Sequence, residues 1–113
     1  MMMFSFKAIA ADTFLIFGDS LSAGYRLSIE SAWPQRLADK WKTTYPEINV
    51  VNASISGETA FQGQNRLPDL LKQHQPRWVL IELGANDGLQ GYPVAQTKEA
   101  LQNIITQVKD AGA

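Results

Sequence analysis

The stretch FLIFGDSLSAGY, residues 14–25, changes abruptly at Gly18 from an apolar run to small polar residues. Short apolar runs such as TFLIF, residues 13–17, are typical of strands buried on both faces of a parallel sheet. The segment after Gly18 is typical of a turn from a strand into a helix. Ser20 is therefore either a reactive hydroxyl at a strand end or an ordinary turn or cap residue. Its position alone favours the second interpretation.

The rest of the chain repeats this alternation of strand and helix. INVVN, residues 48–52, and WVLIEL, residues 78–83, predict two further short strands. Apolar residues at helical spacing predict three helices, the first capped by Ser31, at residues 31–45, 60–73 and 93–111. The order β-α-β-α-β-α predicts an α/β domain in which helices cover a parallel sheet.

The composition is typical of one globular domain. The chain has 113 residues, of which 45% are hydrophobic and 19% are charged. A net charge of -1 argues against nucleic-acid binding, which favours a basic excess. The sequence contains no cysteine, which excludes disulfides and thiolate metal sites. No apolar stretch approaches the roughly 20 residues of a membrane helix, so stable membrane insertion is not expected.

The first residues resemble part of an export signal. Ala8-Ile9-Ala10 has the A-x-A form of a cleavage site, but only a few apolar residues precede it and Lys7 lies directly before it. We interpret residues 1–10 as a shortened leader and residues 11–113 as part of one folded domain.

Three polar, glycine-containing loops follow the three predicted strands, at residues 18–24, 53–59 and 84–91. Ligands bind beyond the carboxyl ends of the strands in parallel sheets, so these loops are expected to meet at one site. Taken singly, Gly57 is explained as a turn glycine and Asn86 as a turn-forming residue. Taken with Ser20, they provide a hydroxyl, a backbone donor and an amide donor, the combination that acyl transfer needs.

The same residues resemble the first three sequence blocks of the SGNH, or GDSL, hydrolases. The matching segments are Gly18-Asp19-Ser20-Leu21, Gly57 and Gly84-Ala85-Asn86-Asp87. The stretches ADTFLIFGDSLSAGYR, VVNASISGET and LLKQHQPRWVLIELGANDGL are similar to the bacterial branch of acyl-CoA thioesterase I, lysophospholipase L1 and arylesterase. The resemblance covers nearly the whole chain from Ala11.

The resemblance implies a flavodoxin-like, three-layer α/β/α fold and hydrolysis of small acyl esters or thioesters. It implies Ser20 as the nucleophile and an oxyanion hole formed by the backbone N–H groups of Ser20 and Gly57 and the Asn86 side chain. The supporting residues that it implies are Asp19, Gly84 and Asp87. No cofactor and no metal is expected, and the family resemblance implies a periplasmic or secreted location.

One family block has no counterpart in this sequence. It is an Asp-x-x-His near the C-terminus that supplies the general base, whereas the only histidine here, His74, lies before the third strand and is expected at the opposite end of the sheet. We therefore expect the N-terminal part of a longer domain, without its C-terminal strands and with little or no activity alone.

Two further expectations follow. The third strand has an open edge, which favours self-association. The alternative to a hydrolase is a non-catalytic α/β module that binds a small molecule or an anion.

Overall fold

The computed structural model describes residues 12–113, so the leader expected at residues 1–10 lies outside it. Three parallel strands form one sheet in the order β2-β1-β3. Their bounds are β1 (Asp12–Gly18), β2 (Ile48–Asn52) and β3 (Trp78–Glu82). The predicted strands and the predicted parallel sheet are confirmed.

Five α-helices connect and cover the strands within residues 12–113. They are α1 (Ser20–Ala23), α2 (Trp33–Thr44), α3 (Ala60–His74), α4 (Ala85–Leu89) and α5 (Val94–Asp110), and a 3₁₀ turn (Ile29–Ser31) precedes α2. The three long helices agree with the prediction. The two short ones, α1 and α4, lie inside the segments predicted as loops, because four or five residues are too few to show helical periodicity.

The prediction that Ser31 caps the first long helix, which is α2 in the structure, is wrong. The N-cap of α2 is Ala32, which has no side-chain acceptor. Ser31 ends the 3₁₀ turn instead, and its hydroxyl lies 2.8 Å from that of Ser28. The hydroxyl groups of the two serines therefore form a hydrogen bond with each other. Pro34, in the first turn of α2, has no backbone N–H, so one fewer donor at this helix start needs a capping acceptor.

Helices lie on both faces of the sheet, which gives three layers. On one face, Leu15 and Phe17 of β1 pack with Leu67 of α3 and Ile104 of α5, and all four are fully buried. On the other face, the ring of Phe14 meets Trp41 of α2 edge to face at 5.3 Å. Burial of each large apolar side chain contributes about 1.5–3 kcal/mol, so the alternation along β1 fixes both helical layers.

The parallel arrangement brings the carboxyl ends of all three strands to the same end of the sheet. Gly18 lies opposite Glu82 in the register of β1 and β3, and Ile16 lies opposite Asn52 in that of β1 and β2. At the lateral edge, β3 pairs only with β1 among residues 12–113. In this described part of the chain, no helix is both long enough and apolar enough to cross a bilayer.

Candidate active site

The turn after β1 is closed by Asp19, which is the N-cap of α1. Its carboxylate accepts the backbone N–H of Leu21 at 3.0 Å, and the residue is 1% exposed. Ser20 is the first residue of α1 and is half-buried. Because Asp19 is the cap, Ser20 is not needed there to satisfy the helix terminus.

Ser20 shares a shallow cavity with residues from the other two loops. The cavity has a volume of about 340 Å³ and is lined by Ser20, Tyr25, Ser56, Gly57 and Asn86. The three residues singled out in the sequence for acyl transfer are therefore neighbours, although they are far apart along the chain.

Two backbone donors in this cavity are unoccupied. Within residues 12–113, neither the Ser20 N–H nor the Gly57 N–H has an acceptor, whereas the Gly18 N–H donates to Ser54 Oγ at 3.0 Å and the Glu58 N–H to the carbonyl of Ile55 at 3.2 Å. Backbone N–H groups that have no acceptor, in residues that line a cavity, are candidate donors for an oxyanion.

The backbone of Gly57 explains why glycine occurs at this position. Its φ of +83° lies in the left-handed region, and a Cβ there would meet no atom within 4 Å. The glycine is therefore required by the conformation of the loop and not by lack of space.

Asn86 lies in α4, where it joins the third loop to the second. Its Nδ2 donates to the backbone carbonyl of Glu58 at 3.0 Å. A side-chain amide nitrogen carries two hydrogens, so one remains for a ligand. Gly84, with a φ of +121°, is the N-cap that starts this short helix.

Asp87 is fully buried and serves as an acceptor for the start of α3. Its two carboxylate oxygens accept the N–H of Ala60 at 2.7 Å and that of Phe61 at 3.2 Å. Thr59 and Gln62 complete the helix start as a capping box. The pattern T-x-x-Q at residues 59–62 is a sequence signal for this helix start that our prediction did not use.

An ion pair that the sequence analysis missed supports the second loop. Arg66 donates to both carboxylate oxygens of Glu58, at 2.8 and 2.6 Å, and to the carbonyl of Ala53 at 2.7 Å. Glu58 is 7% exposed. The two ends of this loop are therefore held by one side chain of α3.

A second missed residue is Glu82, at the end of β3. Its Oε1 accepts the hydroxyl of Ser22 at 2.7 Å and the N–H of Asp19 at 3.3 Å. Burial raises the pKa of the Glu82 carboxyl, and the hydrogen bond from the Ser22 hydroxyl lowers it in part. The Asp19 side chain raises this pKa further, while the hydrogen bond from the Asp19 N–H lowers it.

His74 lies away from the cavity. It ends α3, which leads through the Gln75 C-cap to the amino end of β3, where the Arg77 N–H bonds the carbonyl of Thr13 near the start of β1. The cavity lies at the carboxyl end of the sheet. Among residues 12–113, no three His, Asp or Glu side chains are grouped as metal ligands.

Comparison with known proteins identifies the family of the chain. Residues 16–113 match the model of the GDSL-like lipase/acylhydrolase family. The chain is 58% identical over its whole length to thioesterase 1/protease 1/lysophospholipase L1 of Escherichia coli (strain K12), of which it covers 53%. It is 49% identical, over 92% of its length, to an arylesterase of Vibrio mimicus, of which it covers 52%.

Among solved structures, the psychrotrophic esterase EstA from Pseudoalteromonas sp. matches with a TM-score of 0.85 and 46% identity. The match covers 90% of this chain and 56% of that esterase. The chain thus spans about half the length of the relatives that it matches. The motifs at residues 18–21 and 84–87, the three-layer fold and a family match over residues 16–113 lead to one conclusion: the chain belongs to the GDSL-like lipase/acylhydrolase family.

Proposed function

We propose that this chain carries the nucleophile and the oxyanion-binding groups of a serine hydrolase that cleaves carboxylic esters and thioesters. The observation that carries the proposal is the shared cavity of Ser20, Gly57 and Asn86, in which two backbone N–H groups have no acceptor among residues 12–113. The Ser20 hydroxyl can attack a carbonyl carbon while these free N–H groups stabilise the negative charge that develops on the carbonyl oxygen.

In this mechanism, Ser20 Oγ attacks the carbonyl carbon while a base takes its proton. The carbonyl oxygen becomes an oxyanion and accepts the N–H groups of Ser20 and Gly57 and one hydrogen of the Asn86 amide. The intermediate then collapses, the alcohol or thiol leaves with the proton, and water hydrolyses the acyl-serine by the reverse sequence. Each oxyanion donor contributes about 10²–10³ in rate.

The base has to come from outside residues 12–113 in this proposal. His74 is the only histidine of the sequence, and it lies at the other end of α3 from the cavity. Without a base, a serine hydroxyl is a weak nucleophile at neutral pH. We therefore expect residual reactivity from the chain alone and a gain when a base is supplied.

The names of the relatives support small acyl esters and thioesters as substrates. They include a thioesterase and lysophospholipase, and an arylesterase. The Pseudoalteromonas esterase was also crystallised in a form inhibited by monoethylphosphonate. A phosphonate resembles the tetrahedral intermediate, so a probe of this class suits the present chain. A periplasmic or secreted location remains our prediction for the whole protein.

The proposal is tested by reacting the 113-residue chain with a fluorophosphonate probe, with and without imidazole as an external base. We expect labelling of the wild type that imidazole accelerates, and none in Ser20→Ala. Ser56→Ala is the matched control, because Ser56 lines the same cavity. Equal labelling of Ser20→Ala, or a folded wild type that stays unlabelled with imidazole, would contradict the proposal.

The alternative is an anion-binding module without catalysis. The free N–H groups of Ser20 and Gly57, in a cavity without a histidine, favour it. Calorimetric titration with inorganic phosphate separates the two functions. Phosphate binding that survives Ser20→Ala, in a chain that is never labelled, supports the module.

We also propose that the chain self-associates through the edge of β3, which is unpaired within residues 12–113. Unpaired N–H and C=O groups along a strand edge are a template for another chain.

A further inference from the structure

Glu82 has no part in the mechanism above, yet it lies next to the turn after β1 that contains Ser20. It is the last residue of β3 and faces Gly18 in the register. Its side chain therefore reaches the turn at the point where β1 ends.

The Glu82 carboxylate contacts one residue before Ser20 and one residue after it. Its Oε1 accepts the N–H of Asp19, the residue before Ser20, at 3.3 Å. The same oxygen accepts the hydroxyl of Ser22, two residues after Ser20, at 2.7 Å. Asp19 is 1% exposed and Ser22 is fully buried, so water does not readily replace these bonds.

The other donors of the turn are also occupied. The Leu21 N–H goes to the Asp19 carboxylate, and the Ser22 N–H goes to the Asp19 carbonyl at 3.1 Å. Asn52 of β2 holds the Ser22 carbonyl at 2.8 Å. Glu82 and Asn52 thus fix the turn from two neighbouring strands, and among its amides the Ser20 N–H is left without an acceptor in residues 12–113.

The packing around Gly18 independently supports the contact between Glu82 and Ser22. A Cβ at Gly18 would lie 2.8 Å from both Glu82 Oε1 and Ser22 Oγ. The φ of Gly18 is not in the left-handed region, so the backbone conformation does not require glycine there. The glycine instead leaves the space in which the Glu82 to Ser22 bond is made.

We propose that Glu82 is a positioning residue, whose carboxylate holds Asp19 and Ser22 so that the Ser20 hydroxyl and N–H stay in register with Gly57 and Asn86. This inference rests on the proposed function, since it assigns Glu82 a part in orienting the same nucleophile.

The test uses the 113-residue chain, the fluorophosphonate probe and a fixed concentration of imidazole. Glu82→Ala removes the acceptor, and we expect labelling of Ser20 to slow by about tenfold or more, because misplaced reacting groups and donors forfeit most of their effect. Glu82→Gln keeps an acceptor oxygen, and its labelling rate should stay within about threefold of wild type. Ser22→Ala removes the shorter bond and should also slow labelling, which decides the case if Glu82→Ala fails to fold.

Leu80→Ala is the control for a general loss of stability. Leu80 lies on the same face of β3, opposite Ile16 in the register and two residues before Glu82. It should lower the melting temperature without slowing labelling. Amide exchange by NMR gives a second readout: exchange at Asp19 should accelerate in Glu82→Ala and not in Leu80→Ala.

The outcomes separate the two proposals. If the wild type is labelled and Glu82→Ala is labelled at the same rate, the positioning role is wrong and the proposed function stands. If Leu80→Ala loses as much labelling as Glu82→Ala at an equal loss of melting temperature, the effect is general and the positioning role is also wrong. A wild type that is never labelled overturns the proposed function and this inference with it.

Discussion

The Asp87 Oδ1 atom lies 2.7 Å from the backbone nitrogen of Ala60, in a fully buried contact. Asp87 directly follows Asn86, and Ala60 lies three residues after Gly57. One hydrogen bond therefore ties together the loops that hold two of the three proposed oxyanion donors. The relative position of these donors depends on the start of α3 as much as on either loop.

Asp87→Ala should destabilise the fold and disturb the cavity together. It leaves the N–H groups of Ala60 and Phe61 without their buried acceptors, which costs about 1–3 kcal/mol. Urea unfolding measures the loss. Asp69→Ala, an exposed position of α3, is the control and should change stability by less than about 0.5 kcal/mol. Equal stability of the two variants would argue against the capping role of Asp87.

Arg66→Ala should destabilise more than an equivalent change at the surface. It leaves the nearly buried Glu58 carboxylate and the Ala53 carbonyl without their donor, an effect of about 1–3 kcal/mol. Arg77→Ala is the matched control, because its pair with Asp12 is largely exposed and contributes about 0–1 kcal/mol. A larger loss for Arg77→Ala in urea unfolding would show that burial does not decide between the two pairs.

Gly18→Ala should both destabilise the chain and slow labelling of Ser20. The new methyl group would lie 2.8 Å from Glu82 Oε1 and Ser22 Oγ, and such overpacking costs about 1–3 kcal/mol. Gly88→Ala is the control, since a Cβ there meets nothing within 4 Å and the residue lies in α4. We expect Gly88→Ala to be neutral or slightly stabilising. A neutral Gly18→Ala would show that the turn can shift to accept a methyl group.

The stability of the chain should depend on pH through Glu82. Its pKa is raised in the folded state above the ordinary value of 4.5, by burial first and by the neighbouring Asp19. A raised folded pKa gives a contribution to stability that is complete below the ordinary pKa and is lost as the pH rises through the folded pKa. Urea unfolding of wild type and Glu82→Gln, from about pH 3 to pH 8, measures the contribution of Glu82 to the free energy of unfolding. The wild type should lose stability relative to Glu82→Gln as the pH rises, and the opposite slope would contradict the shift.

Self-association should involve the edge of β3. Trp78, at the start of this strand, is 38% exposed, and a lysine on a strand edge opposes pairing with another chain. Sedimentation velocity should show association that grows with protein concentration and falls in Trp78→Lys. Trp33→Lys is the matched control, because Trp33 is 36% exposed on α2, away from the sheet edge. A monomer at every concentration would exclude this mode of association.

The parts of the fold that depend on local patterns were predictable. The apolar runs gave the three strands to within about one residue at each end. The convergence of Ser20, Gly57 and Asn86 followed from the rule that parallel strands present their carboxyl ends at one edge. The contacts of Glu82 could not be predicted in this way. Glu82 and Ser22 are 60 residues apart, and no spacing rule connects them before the register of β1 and β3 is known.

The order β2-β1-β3 also has a consequence for synthesis on the ribosome. The GDSL motif at residues 18–21 emerges early, but the two strands that flank β1 end at Asn52 and Glu82. The bonds from Asp19 and Ser22 to Glu82 close loops of 63 and 60 residues, and such long-range contacts form slowly. A nascent chain that has not yet reached β3 therefore contains the nucleophile without the strand that orders it, so the reactive turn is assembled only after β3 has been translated.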